Sequence, residues 1–98
     1  MDLQAATKVM REKVGSDCGL GTTLKFDCGS EGVVYVDGAA TPNTVSNEDK
    51  EAACTIALSL DSLSRLLLNE LEPTTAFMMG KLKVSGDMGV ALKLQRLL

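Results

Sequence analysis

The 98-residue chain predicts a two-layer α+β domain in which helices close one face of a mainly antiparallel sheet. Two patterns carry this. Wherever the sequence alternates with period two, one set of positions holds Lys25, Asp27, Lys81, Lys83 or Ser85 and the other holds Leu, Val, Ile or Phe, so the sheet has one wet face and one that needs cover. The cover comes from segments with helical spacing, and the last of them is more apolar than a surface helix requires. Started at Asp87, it spreads Met88, Val90, Ala91, Leu92, Leu94, Leu97 and Leu98 over roughly 220°, where an ordinary packed stripe is little more than ~100° wide. Lys93 and Arg96 hold a narrow wedge, and Gln95 interrupts the arc. A second layer of protein, another subunit or an apolar ligand must meet the remainder.

In chain order, residues 2–14 read as a helix with Leu3, Ala6, Val9 and Met10 on one face, ended by Gly15. Leu20, Thr22, Leu24, Phe26 and Cys28 alternate with polar or small residues as a strand. After the turn at residues 29–32, residues 33–36 are apolar on both sides, which predicts a strand inside the sheet. Residues 37–50 are polar and contain Pro42, so a weak edge strand over 40–45 is expected there, with no role beyond connection. Residues 53–58 alternate again. Asp61 is a candidate cap for a helix carrying Leu63, Leu66, Leu67 and Leu71; a short helix restarts at Pro73 and closes at Gly80. Residues 81–85 form the last alternating run, and Asp87 caps the last helix.

Size allows one domain, residues 1–98, with a single core. With no Trp, one Tyr and two Phe against five Met, that core is aliphatic and thioether-rich, a composition that suits a plain interior or a cavity tolerant of several apolar shapes. The net charge of −3 argues against a nucleic-acid partner, which would demand clustered cations. Charge is uneven: residues 1–64 carry five basic and ten acidic side chains, residues 65–98 five basic and three acidic. The apolar half is the basic half, a combination that favours transient contact with an anionic membrane, here through Lys93 and Arg96.

Catalytic chemistry is sparse. There is no His, and the carboxylates lie in polar loops or at helix starts, so an acid–base pair is not indicated and the chain is expected not to be an enzyme. Cys18, Cys28 and Cys54 have neither the number nor the spacing of a disulfide framework or a zinc site; Cys54 reads as a small core residue. No metal or cofactor is implied. Free thiols, no spanning apolar run and no secretory leader predict a cytoplasmic protein.

Ala53-Cys54-Thr55-Ile56, Pro73-Thr74-Thr75-Ala76-Phe77, Gly80-Lys81-Leu82-Lys83 and Gly86-Asp87-Met88-Gly89-Val90-Ala91-Leu92-Lys93-Leu94 resemble the sterol carrier protein 2 domain family, in its stand-alone bacterial form. The resemblance implies a five-stranded sheet covered on one face, with a hydrophobic tunnel between the layers that binds fatty acids, acyl-CoA, phospholipids or sterols without chemistry. It places Ala76, Phe77, Met78 and Met79 of the short helix, Met88, Ala91 and Leu92 of the last helix, and Phe26, Leu66, Leu82 and Val84 beneath them along the tunnel. The alternative is a protein-interaction module that dimerises or docks through the same apolar helix.

Overall fold

The computed structural model describes the backbone of residues 1–98 and the side chains of residues 1–93 and 97–98. Helix α1 (Leu3–Val14) is followed by β1 (Thr23–Asp27), a 3-10 turn at Gly29–Glu31, β2 (Val33–Asp37), β3 (Thr44–Ser46), β4 (Cys54–Ala57), α2 (Leu60–Leu67), α3 (Pro73–Met78), β5 (Lys83–Gly86) and α4 (Met88–Leu97). The strands form one sheet in the order β3-β2-β1-β4-β5. Three of its four pairings are antiparallel, but β1 and β4 run parallel at its centre, so the sheet is mixed. β2 pairs with one edge of β1 as a hairpin, β3 extends that side, and β4 takes the other edge of β1.

Register sorts the side chains into two faces. Val45, Val36, Leu24 and Cys54 lie in one row and Val34, Phe26, Ile56 and Val84 in the next, all towards the helices. Beneath α1 and α2, Ala6, Met10, Leu63 and Leu66 complete the core with them. On the outer face, Ser46, Tyr35, Lys25, Thr55 and Ser85 form a row across all five strands. Residues 33–36 are apolar on both sides because this face too is partly covered. Tyr35 is buried and donates its hydroxyl to the Glu51 carbonyl at 3.3 Å, the Lys50 ammonium stands 5.8 Å from its ring centre, and Lys25 pairs with Asp49 at 2.9 Å. The segment expected only to connect is therefore a cover. Its Asn47 also links the two layers, donating to the Val33 carbonyl and to the buried Thr7 hydroxyl of α1, both at 2.9 Å.

Helix ends follow local chemistry, with one correction. Asp2 caps α1 by accepting from the Ala5 N–H, and Gly15 stops it at φ +60°. For α2 the cap is Ser59, whose Oγ accepts from the Ser62 N–H; Asp61 stands inside the first turn and pairs with Arg65 at 3.1 Å. A serine two positions upstream satisfies the free N–H first, and the carboxylate still gains from the helix dipole and an i,i+4 partner. Both α2 and α3 end in paired backward bonds: Asn69 to Leu66 and Glu70 to Arg65, then Gly80 to Phe77 and Lys81 to Ala76. Asn69, at φ 59°, tolerates the left-handed position that Gly80 fills in the next helix.

One contact decides where α4 leaves the sheet. Gly86 closes β5 at φ +95°, and a Cβ there would collide with the Ala53 carbonyl oxygen, the same atom that accepts the Asp87 N–H at 2.9 Å. Asp87 then starts α4, its Oδ1 accepting from the Gly89 N–H at 2.8 Å. Gly86→Ala should cost about 2 kcal/mol or more, because strained backbone and a backbone clash act together. For a domain of this size that is a fall of about 10 °C in Tm. A melt within a degree or two of wild type would show that the junction relaxes freely.

Candidate functional site: an apolar cleft between α3 and α4

The two short C-terminal helices leave a gap over β4 and β5. Pro73, Thr74 and Phe77 sit one helical turn apart on α3, and Met88, Ala91 and Leu92 repeat that spacing on α4. Ile56, Leu82 and Val84 make the floor. The cleft they enclose measures about 180 Å³. Thr74 is the only one of these nine side chains that can hydrogen-bond, and none is charged. Two other depressions are larger, about 300 Å³ beside Arg11, Asn43 and Thr44 and about 280 Å³ between Glu72 and Leu98, but both mix charged or polar groups with apolar ones. Chemistry rather than size singles out the first.

The lips of the cleft are unusually greasy. Phe77 is 50% exposed, Met88 52% and Leu92 72%, and next to Phe77 in the chain Met78 reaches 81%. The surplus apolar arc of the last helix resolves accordingly: Val90 and Leu97 are buried, Ala91 is half-buried in the cleft, and Met88 and Leu92 face open space. Leu94, Gln95 and Arg96, which complete the arc and its wedge, lie outside the described side chains. The Lys93 ammonium donates to the Leu20 carbonyl at 3.2 Å, tying α4 to the loop before β1.

Of the side chains expected along the tunnel, Phe77, Leu82, Val84, Met88, Ala91 and Leu92 border the cleft. Phe26, Leu66 and Ala76 are in the core, below or behind it, and Met78 and Met79 stand exposed beside it without lining it. Sequence reasoning missed Ile56, Pro73 and Thr74. Stepping one turn back from Phe77 would have found the two on α3, and the inward position of Ile56 between Cys54 and Leu58 would have found the third.

The thiols are set for packing. Burial, followed by the nearby charges of Asp27 and Glu31, pushes the Cys28 thiol up to about 11. Burial first and Asp87 second raise that of fully enclosed Cys54. Among the described residues no group of His, Cys, Asp and Glu side chains is placed to hold a metal ion.

The fold and this cleft define a small two-layer α+β domain with an apolar cleft open between its two C-terminal helices. Residues 3–98 match the SCP-2 sterol transfer family, and the chain belongs to it. It is 44% identical to sterol carrier protein 2 of Gallus gallus over 70 residues, 70% of this chain but 13% of that protein. Against hydroxysteroid dehydrogenase-like protein 2 of Danio rerio the identity is 35% over 78 residues, 76% of this chain and 19% of that one. The chain thus spans under a fifth of either relative. Among solved structures, sterol carrier protein 2 like 2 of Aedes aegypti superposes with a TM-score of 0.76 at 14% identity, covering 98% of this chain and 95% of that one.

The thiol environments predict a labelling order. With a pKa near 11, only about one Cys28 in a thousand is thiolate at pH 8. A small alkylating reagent should therefore modify half-buried Cys18 first, leaving Cys28 and Cys54 until the chain unfolds. Because the folded Cys28 stays protonated where the unfolded thiol, near 9.0, ionises, its contribution to stability is intact below pH 9 and is lost as the pH rises towards 11. Rapid modification of all three thiols in native buffer would contradict the packing described.

Proposed function

We propose that this chain is a non-enzymatic lipid-binding protein whose cargo enters the cleft between α3 and α4. The observation that carries the reading is the lining: nine side chains from two facing helices and the sheet beneath, one of them hydrogen-bonding, in a member of the SCP-2 family. A family relative in Aedes aegypti has been solved in palmitated form, with a TM-score of 0.74 over 99% of this chain. An acyl chain suits such a surface because it asks for apolar contact and nothing else. A carboxylate inside would meet no cation among the described lining residues, so the polar head stays at the mouth, near the exposed lips. Three unpaired cysteines fit a reducing, cytoplasmic setting, and no helix among the described residues is long and apolar enough to cross a membrane.

Size bears on the cargo. A volume of about 180 Å³ lies below the ~300 Å³ at which ligand pockets usually begin. A slender acyl chain therefore seats with less displacement than a sterol, and both require α3 and α4 to part. Of the two, α3 is the one built to yield: it buries Ala76 alone, and Met78 and Met79 at its C-terminal end are exposed.

Ligand at a hundred times its Kd should add ~2.7 kcal/mol, a rise in Tm of very roughly 10 °C. The measurement is a melt of delipidated protein with palmitate, oleoyl-CoA and a sterol, in which palmitate should give a clear shift. Leu92→Asp, at an exposed position that should not disturb folding, should weaken binding of a fluorescent fatty acid about ten-fold or more by setting a charge on the lip. No shift with any of the three lipids would remove the proposal, and wild-type affinity in the folded Leu92→Asp variant would move the site away from this cleft.

A further inference from the structure

We infer that the cleft carries a head-group subsite at Glu72, which favours lipids whose polar head donates hydrogen bonds, long-chain amines or alcohols, over lipids with an anionic head. This rests on the reading of the cleft as a lipid site and concerns which lipid it selects. The observation behind it is an adjacency. The apolar cleft of about 180 Å³ and the depression of about 280 Å³ between Glu72 and Leu98 have Pro73 and Thr74 in common, so they adjoin at the first turn of α3. Either alone falls short of an ordinary ligand pocket, whereas together they come within its range, roughly 300–1,000 Å³. One part is apolar and the other mixed, which is how an amphipathic molecule divides into tail and head.

Glu72 is the one charged side chain among the described residues that line the two depressions. It is also uncommitted. Although it stands at the N-cap of α3, its side chain accepts no hydrogen bond from the helix, and it takes part in no ion pair among the described residues. Its backbone carbonyl accepts from the Ala76 N–H at 2.9 Å, so the main chain is held while the carboxylate is left to a ligand. A carboxylate accepts and does not donate. A hydroxyl or ammonium head reaching past Thr74 therefore finds a partner there, and a carboxylate or phosphate head meets like charge. The depression that does hold a cation, beside Arg11, shares no lining residue with the cleft, and Arg11 Nε already donates to the Val45 carbonyl at 3.1 Å. A fatty acid thus keeps its carboxylate at the lips, and a donor-headed lipid with the same tail gains the contact at Glu72.

The test is displacement of a fluorescent fatty acid from the delipidated full chain by three molecules with one twelve-carbon tail: dodecylamine, dodecanol and laurate. Head groups differ in affinity for any apolar site, so the readout is the change from wild type to Glu72→Gln rather than the ranking itself. Because Glu72 is exposed, the variant keeps the fold. In it dodecylamine should lose about five-fold in affinity and laurate should gain about three-fold, while dodecanol, from which an amide oxygen still accepts, should change by less than about two-fold. Glu70→Gln, at an exposed carboxylate that lines neither depression, should leave all three within about two-fold of wild type. An unchanged ratio of amine to laurate affinity in Glu72→Gln, or the same shift from Glu70→Gln, would overturn the subsite while leaving the cleft a lipid site. So would a loss of laurate affinity in Glu72→Gln, since the carboxylate would then be supporting an anionic head. A wild-type chain that binds neither the probe nor any of the three would instead remove the lipid-binding reading, and this one with it.

Discussion

The cleft exists because α4 leaves the sheet at one fixed point. At Gly86 the backbone of β5 lies against the Ala53 carbonyl, closer than any side chain permits, and that carbonyl holds the next N–H of the chain. A hydrogen bond and a steric exclusion at the same oxygen leave little freedom in the direction of the helix that follows. Asp87 adds its own bond to the first turn, and Lys93 fastens the helix further along to the loop before β1. α4 therefore stands as a tethered wall. On the opposite side α3 is held by the paired bonds of its C-terminal turn and by buried Ala76, and otherwise rests lightly.

This contrast divides the molecule into two regions of different stiffness. Beneath α1 and α2 the sheet is packed by fully buried Met10, Leu24, Phe26, Leu63 and Leu66, and Asn47 pins helix to strand with two hydrogen bonds. Beneath α3 and α4 the same sheet offers Ile56, Leu82 and Val84 to a gap. A small domain can leave apolar surface open at one end only if the other end supplies the core that keeps it folded. The packing is unbalanced: a firm half sets the geometry, and a more lightly packed half borders the cleft.

Much of this was legible in the sequence. Period-two alternation marked the inward sets Leu24, Phe26 and Cys54, Ile56, and the excess of apolar residues after Asp87 announced an unsatisfied face before any partner for it was known. Gly15 and Gly80 ended their helices as expected. The parallel pairing of β1 with β4 was not legible, since alternation says which side chains share a face and nothing about which strand lies beside which. Nor was the cover formed by Asp49, Lys50 and Glu51 over the outer face, because its contacts with Lys25 and Tyr35 join residues distant in the chain.

By itself the sequence determined the elements, the sidedness of each and the surplus of apolar surface, all of which are local and periodic properties of the chain. Tertiary structure alone decided how that surplus is divided. Val90 and Leu97 go to the core, Ala91 to the cleft, Met88 and Leu92 to its lips, and the methionines after Phe77 to open surface. These residues share one chemistry and differ only in direction. Direction is set by where α4 is tethered to β4 through Ala53 and where α3 turns back at Gly80, points that meet in space only after the sheet has formed.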